Sequence, residues 1–187
     1  MAAIGQIDKF VYFECIVSSL IEWYKSVMGE GYSEEKMEEH FSRIVVLKLL
    51  FFVAAVKNKE GKDLLDVFDN FYAMQYGPVE GNIYTEIVNE TGRIEHFRFP
   101  VSPTPKLVIY RKQEIETPDQ CRKEVDSAIV SLREKNKKLI TYSGVDLIKL
   151  SHRWMCWRVA IRLARLHGIN CEKMASKDIR EAEPYFE

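Results

Sequence analysis

The sequence predicts an all-α, mainly helical single domain over residues 1–187, with a short β-hairpin or extended excursion around residues 93–112. Apolar residues recur at helical spacing along most of the chain. Glycines, prolines and N-capping residues separate these apolar stretches. No internal repeat, low-complexity tract or flexible linker interrupts the pattern, so we expect one hydrophobic core.

The N-terminal part of the chain predicts two helices. The first covers about residues 7–28 and ends at Gly29. Ser33, followed by acidic residues, is typical of an N-cap and predicts a second helix to about Lys57. The C-terminal half of that helix, residues 44–56, is apolar nearly all round, so we place it at the centre of the core.

The apolar run at residues 64–74 predicts a third helix. Gly77 suits a sharp turn because glycine adopts backbone angles closed to other residues. Pro78 suits the first position of a new helix, where its missing N–H costs nothing. We therefore expect a fourth helix from this turn to about Asn89, and Tyr84 would lie on it.

Residues 91–112 change in character, since they contain three prolines and two short apolar or aromatic runs. The runs 96–99 and 107–110 predict either a small hairpin or an ordered loop that covers part of the core.

Helical signals return in the last third of the chain. Thr117 as N-cap, Pro118 and Gln120 form a capping-box pattern that predicts a helix to about Lys138. Another helix is expected from Ser143.

We expect that helix to bend at residues 151–153 into a further helix over 154–167, ended by Gly168. A short last helix should follow Ser176.

Composition narrows the possible functions. The chain has a net charge of −1 and no apolar run of the roughly 18 residues that cross a membrane. The N-terminus lacks the pattern of a secretory signal, so we expect a cytoplasmic protein without a membrane partner. Residues 1–90 hold 15 acidic and 8 basic side chains, whereas residues 91–187 hold 13 acidic and 19 basic. This asymmetry indicates either attraction between the two halves or a partner for one of them.

No pattern in the sequence indicates catalysis. The four cysteines and four histidines are scattered without zinc-ligand spacing. Neither a nucleophile elbow nor a phosphate-binding glycine loop is present. We therefore expect a protein that is not an enzyme and uses no metal and no cofactor.

One basic stripe is a candidate binding surface. Arg158, Arg162 and Arg165 follow one another at i, i+4 and i+7, which places them on one side of a helix. The simplest interpretation is a solvated stripe on a mostly buried helix. The alternative is a surface that docks an acidic partner or a phosphate backbone.

Several short motifs occur in a characteristic order. An apolar-aromatic helix contains Lys48, the sequence YGPV follows at residues 76–79 with Tyr84 five residues after it, and LSH at 150–152 leads to Trp157. This series resembles the Panacea antitoxin domain family, which includes SocA-like and phage-associated GepA-like proteins. The resemblance covers roughly residues 44–186, and the YGPV segment with its following tyrosine is its most specific part.

The chain departs from the family pattern at two positions. Met74 stands where members commonly have tryptophan, and Cys156 stands where proline usually precedes the tryptophan. The first helix resembles an extension of the family core.

The resemblance implies a non-enzymatic antitoxin that neutralises a cognate toxin by direct contact. It also implies, from one type of member, a proteolytic adaptor that delivers the toxin to a ClpXP-type protease. The alternative hypothesis is a nucleic-acid-binding or phage-associated regulatory module, although a near-neutral chain does not favour nucleic acid. The oligomeric state stays open. The candidate partner-binding residues are Tyr76, Gly77, Pro78, Tyr84, Arg158, Arg162 and Arg165. The family-signature residues are Lys48, Val79, His152 and Trp157.

Overall fold

The first helix, α1 (Lys9–Met28), supplies one side of the core. The computed structural model describes residues 8–100, 106–110 and 115–187, so Ile7 lies outside the described residues. The helix begins where the Asp8 side chain accepts a bond from the Phe10 amide. It ends at Gly29, as predicted.

The second predicted helix is in fact two helices, α2 (Glu34–His40) and α3 (Arg43–Ala55). Ser33 caps α2 as expected. The prediction of a continuous helix to Lys57 is wrong, because Phe41 leaves helical geometry at φ −79° and ψ 50°. Its ring is fully buried, so the break turns a large aromatic side chain into the core.

The predicted third helix over 64–74 is also wrong. Residues 64–68 form turns, and Phe71–Met74 is a strand, β1. β1 pairs with β2 (Gly77–Glu80) on one side and β5 (Glu172–Lys173) on the other, both antiparallel. Buried and half-buried residues alternate along β1, but a short apolar run of four residues cannot be distinguished from part of a buried helix by periodicity alone.

The fourth helix, α4 (Gly81–Asn89), starts later than predicted. Pro78 lies within β2 and not at the first helical position. This is possible because β2 is an edge strand of the sheet. On the side without a neighbouring strand, the missing N–H of proline removes no hydrogen bond between strands. Glu80 caps α4 through a bond from the Ile83 amide to its side chain, and Tyr84 lies on this helix as expected.

The expected hairpin around 93–112 is confirmed by the pairing of β3 (Phe97–Arg98) with β4 (Val108–Ile109). Residues 101–105 and 111–114 lie outside the described residues.

The fifth helix, α5 (Asp119–Lys135), begins one residue later and ends three residues earlier than the sequence suggested. Pro118, not Thr117, occupies the N-cap position. The predicted capping box is wrong because the Thr117 hydroxyl donates to the Ile115 carbonyl, and the Gln120 side chain bonds forward to Glu124.

The last three helices agree with the sequence prediction. α6 (Gly144–Ser151) is capped by Ser143. The chain bends at residues 152–154 and continues as α7 (Met155–Leu166). The short helix α8 (Ser176–Glu181) follows.

Helix α3 lies at the centre of the core, as its composition predicted. It packs against α1, α5, α6 and β2, and ten of its residues, including Lys48, are buried. Around it the aromatic rings of Phe51, Phe52, Trp154 and Phe186 pack edge to face or tilted, with centroids 5.0–6.5 Å apart.

Among the described residues, four ion pairs join an aspartate or glutamate of residues 1–90 to a lysine or arginine of residues 91–187. These pairs favour attraction within the fold as one source of the charge asymmetry. They are Asp8–Arg93, Glu38–Lys106, Asp63–Arg180 and Asp66–Arg180.

Candidate functional site: a clamped hairpin

The β1–β2 hairpin carries the YGPV segment. Met74 pairs with Gly77, so only Gln75 and Tyr76 form the turn between the strands. Gly77 has a positive φ of 99°, which strongly favours glycine. The sequence predicted a turn here, but the turn links two strands and does not introduce a helix.

Gly77 also allows close packing behind the hairpin. A Cβ at this position would overlap the Ser151 hydroxyl and lie 3.0 Å from the Lys48 Cε atom. The absence of a side chain at Gly77 therefore brings α3 and the end of α6 into contact with the hairpin backbone.

Lys48 reaches the hairpin from the core helix. Its side chain is 2% exposed, and its Nζ donates a 2.7 Å hydrogen bond to the Pro78 carbonyl. Burial lowers the pKa of Lys48 to about 7, since a charged amine is disfavoured away from water. A neutral amine can still donate this hydrogen bond.

Two aromatic side chains hold the other strand and the turn. The Trp157 Nε1 donates a 3.0 Å bond to the Met74 carbonyl. The ring of His152 stacks on Trp157 at 3.7 Å between centroids and an angle of 5°. Burial and the nearby Lys48 lower the pKa of His152, and the Gln75 backbone acts in the opposite direction.

Three of the family-signature residues thus converge on one short piece of main chain. Lys48 from α3 and Trp157 from α7 donate to the Pro78 and Met74 carbonyls. His152, from the bend after α6, stacks on Trp157. The fourth, Val79, is buried in β2. This arrangement fixes the backbone of the hairpin and leaves its turn at the surface.

The candidate binding residues differ in exposure. Tyr76, in the turn, is 59% exposed, whereas Gly77 and Pro78 are buried. Tyr84 is half-buried against the core, with the Arg43 guanidinium carbon 6.0 Å from its ring centroid.

The three arginines of the basic stripe are not part of the clamp. Arg158, Arg162 and Arg165 are exposed, on the side of α7 away from the buried face that carries Trp157. The structure therefore presents two separate sets of candidate residues.

Two further residues position the hairpin and were not among the sequence candidates. Ser151 is fully buried and faces Gly77. Glu80 is fully buried, forms a 2.8 Å ion pair with Lys9 and caps α4. Ser151 lies in the LSH motif at residues 150–152, so the sequence could have identified it. Lys9 lies 71 positions from Glu80 in the chain, so no local sequence pattern indicates their contact.

Surface cavities of about 600, 580 and 420 Å³ lie away from the hairpin turn in the described part of the chain. The cavity of about 580 Å³ is lined by Arg180 and Asp63, which pair with each other. In the described ranges, no group of three histidine, cysteine or carboxylate side chains is placed to bind a metal. None of the described helices combines the length and the apolar character needed to span a membrane.

Comparison with known proteins agrees with the motif order. The family described as "Antitoxin SocA-like, Panacea domain" matches residues 46–158, more than half of the chain. The match includes most of α3, the clamped hairpin and the first turn of α7. Curated proteins and solved structures give no significant match. From the family match, the chain belongs to the SocA-like Panacea-domain antitoxin family.

Proposed function

We propose that this chain is an antitoxin that neutralises a partner toxin by direct protein–protein contact, without catalysis. Family membership supports the antitoxin role. The observation that carries the contact proposal is the clamped hairpin, which holds an exposed tyrosine on a fixed backbone. Binding then costs little ordering entropy at the contact, because the hairpin is already in one conformation.

Tyr76 is the proposed anchor residue. Tyrosine offers a large, rigid contact area and a polar tip, and it is enriched among the residues that dominate interface energetics. Tyr76 is 59% exposed in the free chain, so a partner pocket can cover it. Such an anchor typically contributes more than about 2 kcal/mol to binding.

The other candidate residues take supporting roles in this proposal. Gly77 and Pro78 are buried and set the backbone that presents Tyr76. Tyr84 offers a half-buried edge on the adjacent helix. Lys48, Val79, His152 and Trp157 support the hairpin and are not proposed to contact the toxin.

Delivery of the toxin to a ClpXP-type protease is a second part of the proposal, and it rests on the family resemblance alone. Chase experiments in cells with and without the protease would test it. We expect the toxin to have a shorter lifetime when both this chain and the protease are present. An unchanged lifetime would reject the adaptor role and leave neutralisation by contact intact.

The first experiment is a tagged pull-down from the native host, followed by mass spectrometry. We expect a small, near-stoichiometric protein whose expression alone stops growth and whose effect this chain reverses. Nucleic acid in its place would favour the regulatory alternative. A protein recovered without a partner would contradict the antitoxin proposal.

The contact surface is tested with Tyr76→Ala and with Tyr110→Ala as its matched control. Tyr110 is also an exposed tyrosine, at 64% exposure, beside the β3–β4 hairpin. We expect both variants to fold, and only Tyr76→Ala to lose at least about tenfold in toxin affinity, or ~1.4 kcal/mol. Equal affinities of the two variants would reject Tyr76 as the anchor.

A further inference from the structure

The outer face of α7 exposes an unusual number of large apolar side chains. Leu166 is 80% exposed, and the other members are 41–52% exposed. Single exposed apolar residues are normal in proteins, but a contiguous group is typical of an interaction surface. The group consists of Met155, Val159, Leu163 and Leu166.

These side chains form a strip next to the arginine stripe. The apolar residues follow at i, i+4, i+8 and i+11 from Met155, so they share one side of the helix. The arginines at 158, 162 and 165 occupy the adjoining side. We call this combined surface the α7 outer face, and it extends about 16 Å from Met155 to Leu166 at 1.5 Å per residue.

The helix cannot rotate to bury the α7 outer face, because its opposite side is held in the core. Trp157, Ala160, Ile161 and Ala164 are buried on the opposite side, and Trp157 is bonded to the hairpin. The fold therefore keeps the apolar strip in water while the chain is free.

The positive charge of α7 and its flanking residues indicates that the partner surface is acidic. Residues 151–171 contain four arginines and no aspartate or glutamate. Within the described residues, Arg158, Arg162 and Arg165 form no ion pair. A partner that covers the strip must supply carboxylates, because unpaired guanidinium groups are costly to bury.

From this geometry we infer that the α7 outer face binds an acidic amphipathic helix of a partner protein. An apolar ridge on that helix covers the strip, and carboxylates along one flank pair with the arginines. This inference deepens the proposed function, because it names the kind of partner segment that the antitoxin recognises.

Two other occupants fit the surface less well. A second copy that presents its own α7 brings no carboxylate, since residues 151–171 have none. An anionic lipid surface is usually met by cations on the polar face of a longer amphipathic helix, whereas here the opposite face of a 12-residue helix is buried in the protein.

The test uses a synthetic helical peptide with leucines at i, i+4, i+7 and i+11 and glutamates along one flank. A scrambled peptide of the same composition is the ligand control. We expect the ordered peptide to bind at least tenfold more tightly than the scrambled one, with NMR shift changes confined to α7 and its neighbours. Equal binding of the two peptides, or no binding at millimolar peptide, would overturn the inference.

Two triple variants of the protein distinguish binding at the α7 outer face from a general effect of positive charge. R158E/R162E/R165E should lose at least tenfold in peptide affinity. K123E/K137E/K149E changes three other exposed cations by the same charge and should bind as the unchanged chain does. Tighter binding of phosphatidylglycerol vesicles or of a 20-nucleotide RNA to the same arginines would also overturn the inference. The peptide experiments contain no toxin, so a negative result in them would not test whether the chain neutralises a toxin.

Discussion

Gly77 combines a left-handed backbone with close neighbours on the side where a Cβ would project. For Gly77→Ala we expect a loss of about 3 kcal/mol in the free energy of unfolding, from strain at positive φ and from overlap with Ser151. Urea unfolding measures this loss. Gly61→Ala is the control, because Gly61 also has a positive φ of 78° but no atom within 4 Å of the added Cβ.

The control should lose only about 1 kcal/mol, the cost of the backbone conformation alone. Similar losses in the two variants would mean that the contact of Gly77 with Ser151 and Lys48 does not constrain the hairpin.

Lys48 makes stability depend on pH in a direction that can be worked out. Its pKa is about 7 in the folded chain and 10.5 ordinarily, so between these values the unfolded chain binds more protons. Stability from this group therefore rises with pH from about 7 to 10.5. We expect the free energy of unfolding of the unchanged chain, relative to Lys48→Met, to increase by about 3 kcal/mol between pH 7 and 9.5.

Chemical unfolding of both chains at the two pH values tests this expectation. Taking the difference between the two chains removes the contribution of other groups that titrate in the same range. A constant difference would show that Lys48 keeps its proton inside the fold, held by the Pro78 carbonyl.

At the scale of elements, the clamp predicts a local effect of Trp157→Phe. Phenylalanine retains an aromatic ring against His152 but removes the N–H that bonds the Met74 carbonyl. We expect amide hydrogen exchange in the β1–β2 hairpin to become about tenfold faster, corresponding to ~1.4 kcal/mol in local opening, with little change in α5.

Trp23→Phe is the matched control, because Trp23 is also a buried indole but belongs to α1. It should lower global stability without a preferential effect on the hairpin. Faster exchange throughout the Trp157→Phe chain would show that the tryptophan supports the core as a whole and not the hairpin.

The sequence predicted those elements whose ends have a local chemical cause. Ser33 and Ser143 cap helices where expected, and the bend after α6 was visible in the sequence. Strand β1 was missed because its apolar run is buried by distant parts of the chain, including β5, about 100 residues away. The residues of the clamp were identified by motif order, but their convergence depends on long-range contacts that no local pattern contains.

At the scale of the whole molecule, ion pairs and packing join the N-terminal helix α1 to the region that the family match covers. The match begins at residue 46, after α1 and α2. Nevertheless, α1 packs extensively against α5 and α3, and Lys9 at its first position pairs with the buried Glu80 behind the hairpin. We therefore propose that the N-terminal helix, which shares the core with the matched region, belongs to the same cooperative unit.

This integration predicts that a chain beginning at residue 34 will not fold. Phe13, Ile16, Val17 and Leu20 are fully buried, and burial of four such side chains stabilises by roughly 8 kcal/mol. The total stability of a domain is commonly about 5–15 kcal/mol, so the loss removes most of it. We expect the shortened chain to lack a cooperative thermal transition by near-ultraviolet circular dichroism.

A peptide of residues 8–29, added in trans, provides the control. If the missing contacts are the cause, the peptide should restore a cooperative transition in a concentration-dependent manner, because binding to the folded state stabilises it by mass action. A peptide with Ile16→Asp and Leu20→Asp should fail to do so. A shortened chain that unfolds cooperatively near the original midpoint would instead show that α1 is an appendage, and that residues 34–187 are sufficient for the fold.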